Sequence, residues 1–305
     1  MVFGSMGSCT GGSIRGPASN CSVVGLKPSY GLVSRYGVFA LSWSLDHPGP
    51  LTRTVEDCAL MLQAVAGYDT KDPSSARVTL PDYAAAIRGG IKGIRVGIPR
   101  ELNTGASQDV STLVQNAIAI LSDLGASVEE VSLPITNEYA TLAGNIITWS
   151  EAAQVHTPWL DQLEDYTAGT EGKVLVGLVI PSSDYHKAQR MRRLVDNEFT
   201  QVLKKVDVLV QPVSGSPPGL LQPPAGAPGE SGAARMASAP SMTRPYNLTG
   251  LPAVSVPCGF SPQGLPVGLH IAGRLFEDAT VLRVAHAYEQ ATDWHTMHPS
   301  IDNKA

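Results

Sequence analysis

The sequence has few charged residues and no run of basic ones. Charged side chains make up 16% of the 305 residues, and the formal net charge is −5 at pH 7. Domains that bind nucleic acid usually carry clustered lysine and arginine, which neutralise phosphates. The composition therefore argues against direct contact with nucleic acid, although it does not exclude RNA contact through a partner protein.

Long apolar runs and cysteine motifs are missing as well. The longest strongly apolar run is "VLVGLVI", residues 174–180, far short of the roughly 20 residues that cross a membrane. The opening "MVFGSMGSC" has neither the basic nor the apolar region of a secretory signal. Cys9, Cys21, Cys58 and Cys258 form no C-x-x-C pair, so we expect buried free thiols and neither a disulfide framework nor a metal site. These features predict a cytoplasmic protein without membrane contact.

What is present is an alternation of helix-like and strand-like segments. "RTVEDCALMLQAVAGYD" predicts a helix with Thr54 at its N-cap and Gly67 at its end. "GIRVGIPR" predicts a strand, and the helix and strand after it complete a β–α–β unit. Residues 138–205 are predicted to be mostly helical, followed by the strands "DVLVQP", "AVSVPCGF" and "VGLHIAG" and by a last amphipathic helix. We therefore expect one α/β domain over residues 1–305.

A segment rich in proline and glycine interrupts this alternation at residues 211–235. Its sequence, "QPVSGSPPGLLQPPAGAPGESGAAR", is incompatible with regular structure over its length. Loops this long inside a domain are often functional lids. A surface linker and a loop over a site both remain open interpretations.

The stretch "GSCTGGSIRGPASNC", residues 7–21, presents Ser13 directly after two glycines. Acyl transfer needs a nucleophile and N–H donors for the oxyanion that develops. Consecutive glycines let the backbone turn tightly, so the N–H groups of Thr10, Gly11, Gly12 and Ser13 can face one point. An isolated GGS is more simply a turn with a satisfied hydroxyl. The surrounding sequence has to decide between the two interpretations.

That surrounding sequence resembles the amidase signature family. The likeness runs over more than fifty residues from "TGGSIRGPASNC" to "TRTVEDCALML", and it returns in "TRPYNLTGLPAVSVPCGF", "GLPVGLHIAG" and "RVAHAYEQATDWH". The resemblance implies a central mixed β-sheet covered by helices on both faces. It implies hydrolysis of a carboxamide C–N bond through a serine acyl-enzyme, with a small-molecule amide as the substrate and no cofactor.

By position, the resemblance makes Ser13 the nucleophile, Thr10 to Ser13 the oxyanion hole and Arg15 a support of the loop. Members of the family activate the nucleophile through a Ser–cis-Ser–Lys triad. The lysine and the cis-serine lie upstream, further than the twelve residues that precede Ser13 here. Lys27 matches a later segment and is interpreted as structural. The chain is therefore similar to the C-terminal two-thirds of an amidase, without the groups that transfer the proton.

Two positions depart from the family pattern. Cys9 stands where the family usually has an aspartate, which could balance the charge of Arg15. A thiol is a weak hydrogen-bonding group, so the partner of Arg15 is in question. His270 stands where glutamine is common, and we expect a local change in packing or hydrogen bonding there.

Three functions remain open on the sequence alone. The first is an amidase; the stretch "GVFALSWSLDHPGPLTRTVEDCALML" favours a general bacterial enzyme. The second is the amidase subunit of a glutamyl-tRNA amidotransferase, which shares the nucleophile loop. The third is a non-catalytic truncated chain or scaffold, because an oxyanion hole alone accelerates a reaction roughly 10³–10⁴-fold over water. Loss of upstream helices would expose apolar surface, so a homodimer is a further expectation.

Overall fold

The structure is a computed structural model that describes residues 2–219 and 241–298. In this part of the chain, eight strands form one sheet in the order β1-β3-β2-β7-β8-β6-β4-β5. The strands are β1 (Gly4–Cys9), β2 (Val24–Lys27), β3 (His47–Thr52), β4 (Arg95–Pro99), β5 (Ser127–Val131), β6 (Val208–Pro212), β7 (Ala253–Phe260) and β8 (Pro266–Gly273).

Helices cover this sheet on both sides. They are α1 (Arg15–Asn20), α2 (Val55–Val65), α3 (Tyr83–Ala86), α4 (Arg100–Asn103), α5 (Gln108–Asp123), α6 (Pro134–His156), α7 (Ala168–Val179), α8 (Ser182–Val202), α9 (Arg244–Leu248) and α10 (Asp278–Gln290), with 3-10 segments at Thr157–Asp165 and Trp294–Thr296. None of the described helices is long and apolar enough to cross a bilayer.

The sheet is mixed. β4 pairs in parallel with β5 and with β6, whereas the pairings among β1, β3, β2, β7, β8 and β6 are antiparallel. Helix α5 connects β4 to β5, as a parallel pair requires. The predicted α/β class, with a central mixed sheet between helices, is confirmed.

Local sequence signals explain where several helices begin and end. The Thr54 hydroxyl accepts the N–H of Asp57 at 3.1 Å and caps α2. The predicted helical region 138–205 begins earlier, because α6 starts with Pro134, whose missing N–H costs nothing in a first turn. It is interrupted twice, by the 3-10 segment that begins at Thr157, just before Pro158, and again between Val179 and Ser182.

The two faces of the sheet differ in polarity. Helices α2, α3, α5 and α10 pack on one face, and α1, α6, α8 and α9 lie on the other. The apolar face, as we call the first, is formed in the central strands by Val24, Leu26, Val208, Val210, Val254, Val256, Leu269 and Ile271, which are all buried. The polar face, as we call the second, carries Lys27, Gln211, Ser255 and His270, which are all 0% exposed, beside the apolar strand residues Leu209, Ala253 and Ala272 of a second core.

Two sequence-based expectations need comment. Cys9, Cys58 and Cys258 are buried free thiols as expected, but Cys21 is exposed because it follows α1 at the surface. Most of the proline- and glycine-rich segment 211–235 lies outside the described residues, and its first two residues end β6.

Candidate functional site

Ser13 is exposed and lies on the loop between β1 and α1. The two glycines before it lie close to the segment Thr243–Arg244. A Cβ on Gly12, whose φ is +150°, would lie 2.4 Å from the Thr243 hydroxyl, and a Cβ on Gly11 would lie 2.8 Å from Nη2 of Arg244. The constraint is stronger at Gly12, where φ also disfavours other residues, than at Gly11, where the contact is with the end of a flexible arginine side chain.

The main-chain N–H groups and carbonyl groups of the loop differ in whether they are hydrogen-bonded. Within residues 2–219 and 241–298, the N–H groups of Gly11, Gly12 and Ser13 donate to no acceptor. The carbonyl of Gly11 accepts the Thr243 hydroxyl at 2.8 Å, and that of Gly12 accepts the N–H of Gly16 at 2.8 Å. Three consecutive main-chain donors beside an exposed hydroxyl are what an oxyanion hole needs.

Long-range hydrogen bonds hold the loop from two sides. On one side, the Asn247 amide of α9 donates to the carbonyl of Cys9 at 2.7 Å. On the other side, the Thr10 hydroxyl donates to Asp46 at 2.6 Å. The second oxygen of Asp46 accepts the N–H groups of Leu41 and Ser42 at 2.8 and 2.9 Å. Neither anchor is close to the loop in sequence, so the tertiary fold fixes its shape.

Arg15 is fully buried beneath this loop. Its guanidinium donates to the Asn247 side-chain oxygen, to Nε2 of His270 at 2.8 Å and to the Cys9 sulfur at 3.6 Å. In the described part of the chain it forms no ion pair with a carboxylate. The partners of Arg15 are therefore an amide, an imidazole and a thiol.

Burial and the charge of Arg15 change the pKa values of the His270 and Cys9 side chains. Burial, followed by the charges of Arg15 and Lys27, holds the pKa of His270 well below its usual value. The ring is therefore neutral, and Nε2 accepts because Arg15 can only donate. Burial acts to raise the pKa of the Cys9 thiol, but Arg15, the N–H of Ile14 and Lys27 outweigh it, so that pKa lies below normal. His270 thus has the hydrogen-bonding role that the sequence suggested.

Lys27 is fully buried on the polar face. Burial and the charge of Arg15 hold the pKa of its ammonium group well below the usual value. Its Nζ donates to the carbonyl of Pro28 at 3.1 Å. No hydrogen bond joins Lys27, or any other described ionisable side chain, to the Ser13 hydroxyl. The geometry agrees with a structural role for Lys27.

Sequence reasoning missed the residues of α9 and the segment before it. Thr243, Arg244 and Asn247 all contact the nucleophile loop, although more than 230 residues separate them from it. Their stretch, "TRPYNLTG", was recognisable as part of the family pattern. Which atoms those residues contact could be found only from the fold.

Known proteins share this fold and much of this sequence. A glutamyl-tRNA(Gln) amidotransferase subunit of Moorella thermoacetica is 42% identical over 325 residues, which cover 98% of this chain and 65% of that protein. The crystal structure of the subunit of the same name from Thermotoga maritima superposes with a TM-score of 0.83 at 34% identity and covers 100% of this chain and 66% of that one. A bacterial aryl acylamidase of the amidase signature family superposes with a TM-score of 0.80 at 26% identity, covering 97% and 63%. The chain thus spans about 65% of the length of the curated relative.

These relatives correct the expected partners. The sequence predicted a small-molecule amide and a second copy of the chain, without direct nucleic acid. That prediction is wrong in leaving out other protein subunits, because the relatives of Moorella thermoacetica and Geobacillus stearothermophilus are each named as one of the subunits of an amidotransferase, which implies further protein subunits for them. Interfaces of this kind differ little from the rest of a protein surface in overall composition, so no motif revealed one.

The family itself follows from the extent of the match. A sequence model described as Amidase matches residues 1–282 of the 305. The match includes the nucleophile loop, the strands of the polar face and α9. The resemblance on which the sequence analysis relied is confirmed, and the chain belongs to the amidase family.

Proposed function

We propose that this chain cleaves a carboxamide C–N bond with Ser13 as the nucleophile. The observation that carries the proposal is the contrast between Ser13 and its loop. Ser13 is exposed, whereas the residues before it are held by Asp46, Thr243 and Asn247. A reactive group on a rigid support is the arrangement that catalysis requires.

In the proposed reaction, Oγ of Ser13 bonds to the carbonyl carbon of the amide. The charge that develops on the carbonyl oxygen is stabilised by the N–H groups of Thr10, Gly11, Gly12 and Ser13. The C–N bond then breaks, and the proton that left Ser13 ends on the leaving nitrogen. Water hydrolyses the acyl-enzyme, releases the acid and restores the serine hydroxyl. Each oxyanion donor of this type contributes roughly 10²–10³ in kcat.

Activation of Ser13 requires a proton acceptor. Lys27 is a poor candidate, because it is buried and bonded to the carbonyl of Pro28. We assign the acceptor to no residue of the described ranges. The residues that we do assign are Ser13 as nucleophile, Thr10 to Ser13 as oxyanion donors, and Arg15 as the support beneath the loop.

The test is release of ammonia from a panel of primary amides by the purified protein. We expect turnover by the wild type and by Ser8→Ala, which removes another exposed serine from β1. Ser13→Ala should reduce turnover at least about 10³-fold. Equal turnover by Ser13→Ala would exclude this nucleophile, and absence of turnover in all three proteins would favour a non-catalytic scaffold.

A second candidate function is that of one component of an amidotransferase. It is supported by the name of relatives that are 42% and 41% identical over 98% and 96% of this chain. On this proposal the ammonia released at Ser13 passes to a protein partner. Affinity purification from the native organism should then recover a second, tRNA-binding polypeptide in fixed proportion. Recovery of this chain alone under low-salt conditions would count against this role and leave hydrolysis standing.

We also propose a cytoplasmic location. It is supported by the free thiols of Cys9, Cys58 and Cys258, which a reducing compartment preserves. Cell fractionation with an antibody against the protein would test it, and recovery in a membrane or secreted fraction would contradict it.

A further inference from the structure

Glu151, a buried carboxylate of α6, contacts the turn at residues 41–46. Its side chain belongs to a residue that is only 1% exposed. One carboxylate oxygen accepts the Ser42 hydroxyl at 2.6 Å and the N–H of Ser44 at 3.1 Å, and the other accepts the Ser44 hydroxyl at 2.7 Å. The Tyr185 hydroxyl of α8 donates to this second oxygen at 3.1 Å. Three of its four donors therefore belong to one turn.

These hydrogen bonds take the place of an ion pair. In the described ranges Glu151 pairs with no cation, whereas Asp207 pairs with Arg95 and Arg274. A carboxylate withdrawn from water is costly unless donors satisfy it. An apolar side chain of similar size would fill the space between two helices at less cost. The donors of Glu151 therefore point to a role in fixing the turn.

Ser42 joins Glu151 to Asp46, the residue that holds the nucleophile loop. The Ser42 hydroxyl donates to Glu151, while its main-chain N–H donates to Asp46 at 2.9 Å. The N–H of Leu41 reaches the same Asp46 oxygen at 2.8 Å. The other Asp46 oxygen accepts the Thr10 hydroxyl at 2.6 Å. A continuous path of hydrogen bonds thus runs from α6 to the first of the proposed oxyanion donors.

A second helix holds the same turn at another residue. Arg192 of α8 donates to the carbonyl and to the hydroxyl of Ser44, each at 3.2 Å, and its Nε donates to the carbonyl of Leu248 at 2.6 Å. These contacts fix Ser44 but do not include Ser42. The path to Asp46 through Ser42 therefore begins at Glu151.

We propose that Glu151 is a positioning residue for acyl transfer, which fixes Thr10 and the N–H groups after it through Ser42 and Asp46. The proposal rests on the proposed function and adds a residue that acts through others. A misplacement of about 1 Å can cost roughly 10²-fold in rate. The N–H groups of the loop stabilise the oxyanion that develops in the transition state. Loss of Glu151 should therefore lower kcat and leave KM nearly unchanged.

The alternative is that Glu151 only stabilises the packing of α6. That role would lower the stability of the protein without changing the kcat of folded molecules. Glu198 of α8 provides the comparison, because it accepts the N–H groups of Ile135 and Thr136 at the start of α6, at 3.0 and 2.7 Å. Glu198→Gln is therefore a matched control that weakens support of the same helix at a different place.

The first experiment measures kcat and KM for the primary amide that the wild type hydrolyses fastest. For Glu151→Gln, which keeps the size of the side chain and one acceptor oxygen, we expect kcat to fall about 10- to 100-fold. KM should change less than about threefold, and Glu198→Gln should keep the wild-type kcat. Ser42→Ala interrupts the same path more mildly and should lower kcat in the same direction. A wild-type kcat in both Glu151→Gln and Ser42→Ala, or an equal fall in Glu198→Gln, would overturn the proposal and leave hydrolysis intact.

The second experiment is a double-mutant cycle. Thr10→Val removes the hydroxyl that donates to Asp46 but keeps the shape of the side chain and the main-chain N–H. This change already separates the loop from the turn, so adding Glu151→Gln should lower kcat further by less than about threefold. Effects of the two substitutions that multiply would show that Glu151 acts by another route, and they would overturn the proposal.

The third experiment needs no turnover. In NMR spectra of protein made with isotope-labelled glycine, the amide signals of Gly11 and Gly12 report on the loop directly. We expect both signals to shift in Glu151→Gln and to keep their wild-type positions in Glu198→Gln. Shifted signals in a protein that hydrolyses no amide would support the path from Glu151 to the loop while refuting the proposed hydrolysis. Unshifted signals in Glu151→Gln would overturn the proposal.

Discussion

The two faces of the central sheet are made by the same strands and have opposite character. In β7 and β8, Val254 and Ile271 point to the apolar face, whereas the paired residues Ser255 and His270 point to the polar face. Alternate residues of a strand face opposite sides. A one-residue slip of register would therefore exchange the two chemistries. The polar residues that support the nucleophile loop thus share their face with a second apolar cluster, packed by α6, α8 and α9, while the first apolar core lies on the other face.

The polar face has one continuous row. Pairing aligns Gly25, Ser255, His270 and Gln211 across four neighbouring strands. Gly25 lets α1 approach, since a Cβ there would lie 2.6 Å from the side chain of Ala18. His270 then reaches Arg15 beneath the loop. His270 is the member of the row that bonds to Arg15, whereas the Ser255 hydroxyl is buried without a hydrogen-bond partner among the described residues.

The largest stability effect is expected on the apolar face. Leu269 is 0% exposed in the apolar core, so Leu269→Ala should lower the free energy of unfolding by about 2–5 kcal/mol. Activity per folded molecule should stay unchanged, because the residue faces away from Arg15. Chemical denaturation and turnover at low temperature measure the two effects.

Leu265→Ala is the control in the same hairpin. That side chain is 38% exposed, and the substitution should change stability by about 0.5 kcal/mol or less. If Leu269→Ala loses more activity than folded protein, the apolar face also affects the nucleophile loop, which would contradict this prediction.

A carboxyl group on the apolar side provides a pH-dependent test. Burial raises the pKa of Glu289 to about 7, against 4.5 in the unfolded chain. Its stabilising contribution is present in full below pH 4.5 and is lost as the pH rises to 7, up to about 3 kcal/mol. Glu289→Gln can still accept the N–H of Val55, which Glu289 accepts at 2.9 Å.

Unfolding measured between pH 5 and 8 should therefore show a smaller decline with pH in Glu289→Gln than in the wild type. Glu277→Gln, an exposed carboxylate just before α10, should keep the wild-type slope. Identical slopes in wild type and Glu289→Gln would show that Glu289 does not contribute to the pH dependence of stability.

On the polar face we expect a smaller stability effect and a larger effect on catalysis. Asn247→Ala removes one of the three partners of Arg15 and the amide that donates to the Cys9 carbonyl, and it should cost about 1–3 kcal/mol. Turnover should fall further than folding, because the loop before Ser13 loses an anchor. Asn20→Ala, at an exposed position of α1, should leave both unchanged. Full turnover by folded Asn247→Ala would show that the anchor does not position Ser13.

The smallest effect is expected at Cys9. The pKa of its thiol is lower in the folded protein than in the unfolded chain. Its contribution to stability is therefore present above the unfolded value of 9.0 and is lost as the pH falls through the folded value. The stability difference between wild type and Cys9→Ser should grow in favour of the wild type as the pH rises towards 9. The exposed Cys21→Ser should show no such trend, and a trend of equal size there would contradict the role given to Arg15.

Local patterns predicted the elements better than the contacts. The capping residue Thr54 predicted α2, and the segments "AVSVPCGF" and "VGLHIAG" predicted β7 and β8, because capping and alternation are local signals. Helix α1 was missed, since Gly16 and Pro17 are poor helix formers. Two of the three partners of Arg15, Asn247 and His270, lie 232 and 255 residues away. No local pattern carries that information, so the support of the loop could not be derived before the fold.

The central claim is that the polar face holds Ser13 ready for acyl transfer. The measurement that tests it most directly is mass spectrometry of the intact and digested protein after exposure to a fluorophosphonate that reacts with activated serines. The account predicts one adduct on the peptide that contains Ser13, absent from Ser13→Ala and slowed in Asn247→Ala. Equal labelling of wild type and Ser13→Ala, or an adduct on another serine alone, would contradict it.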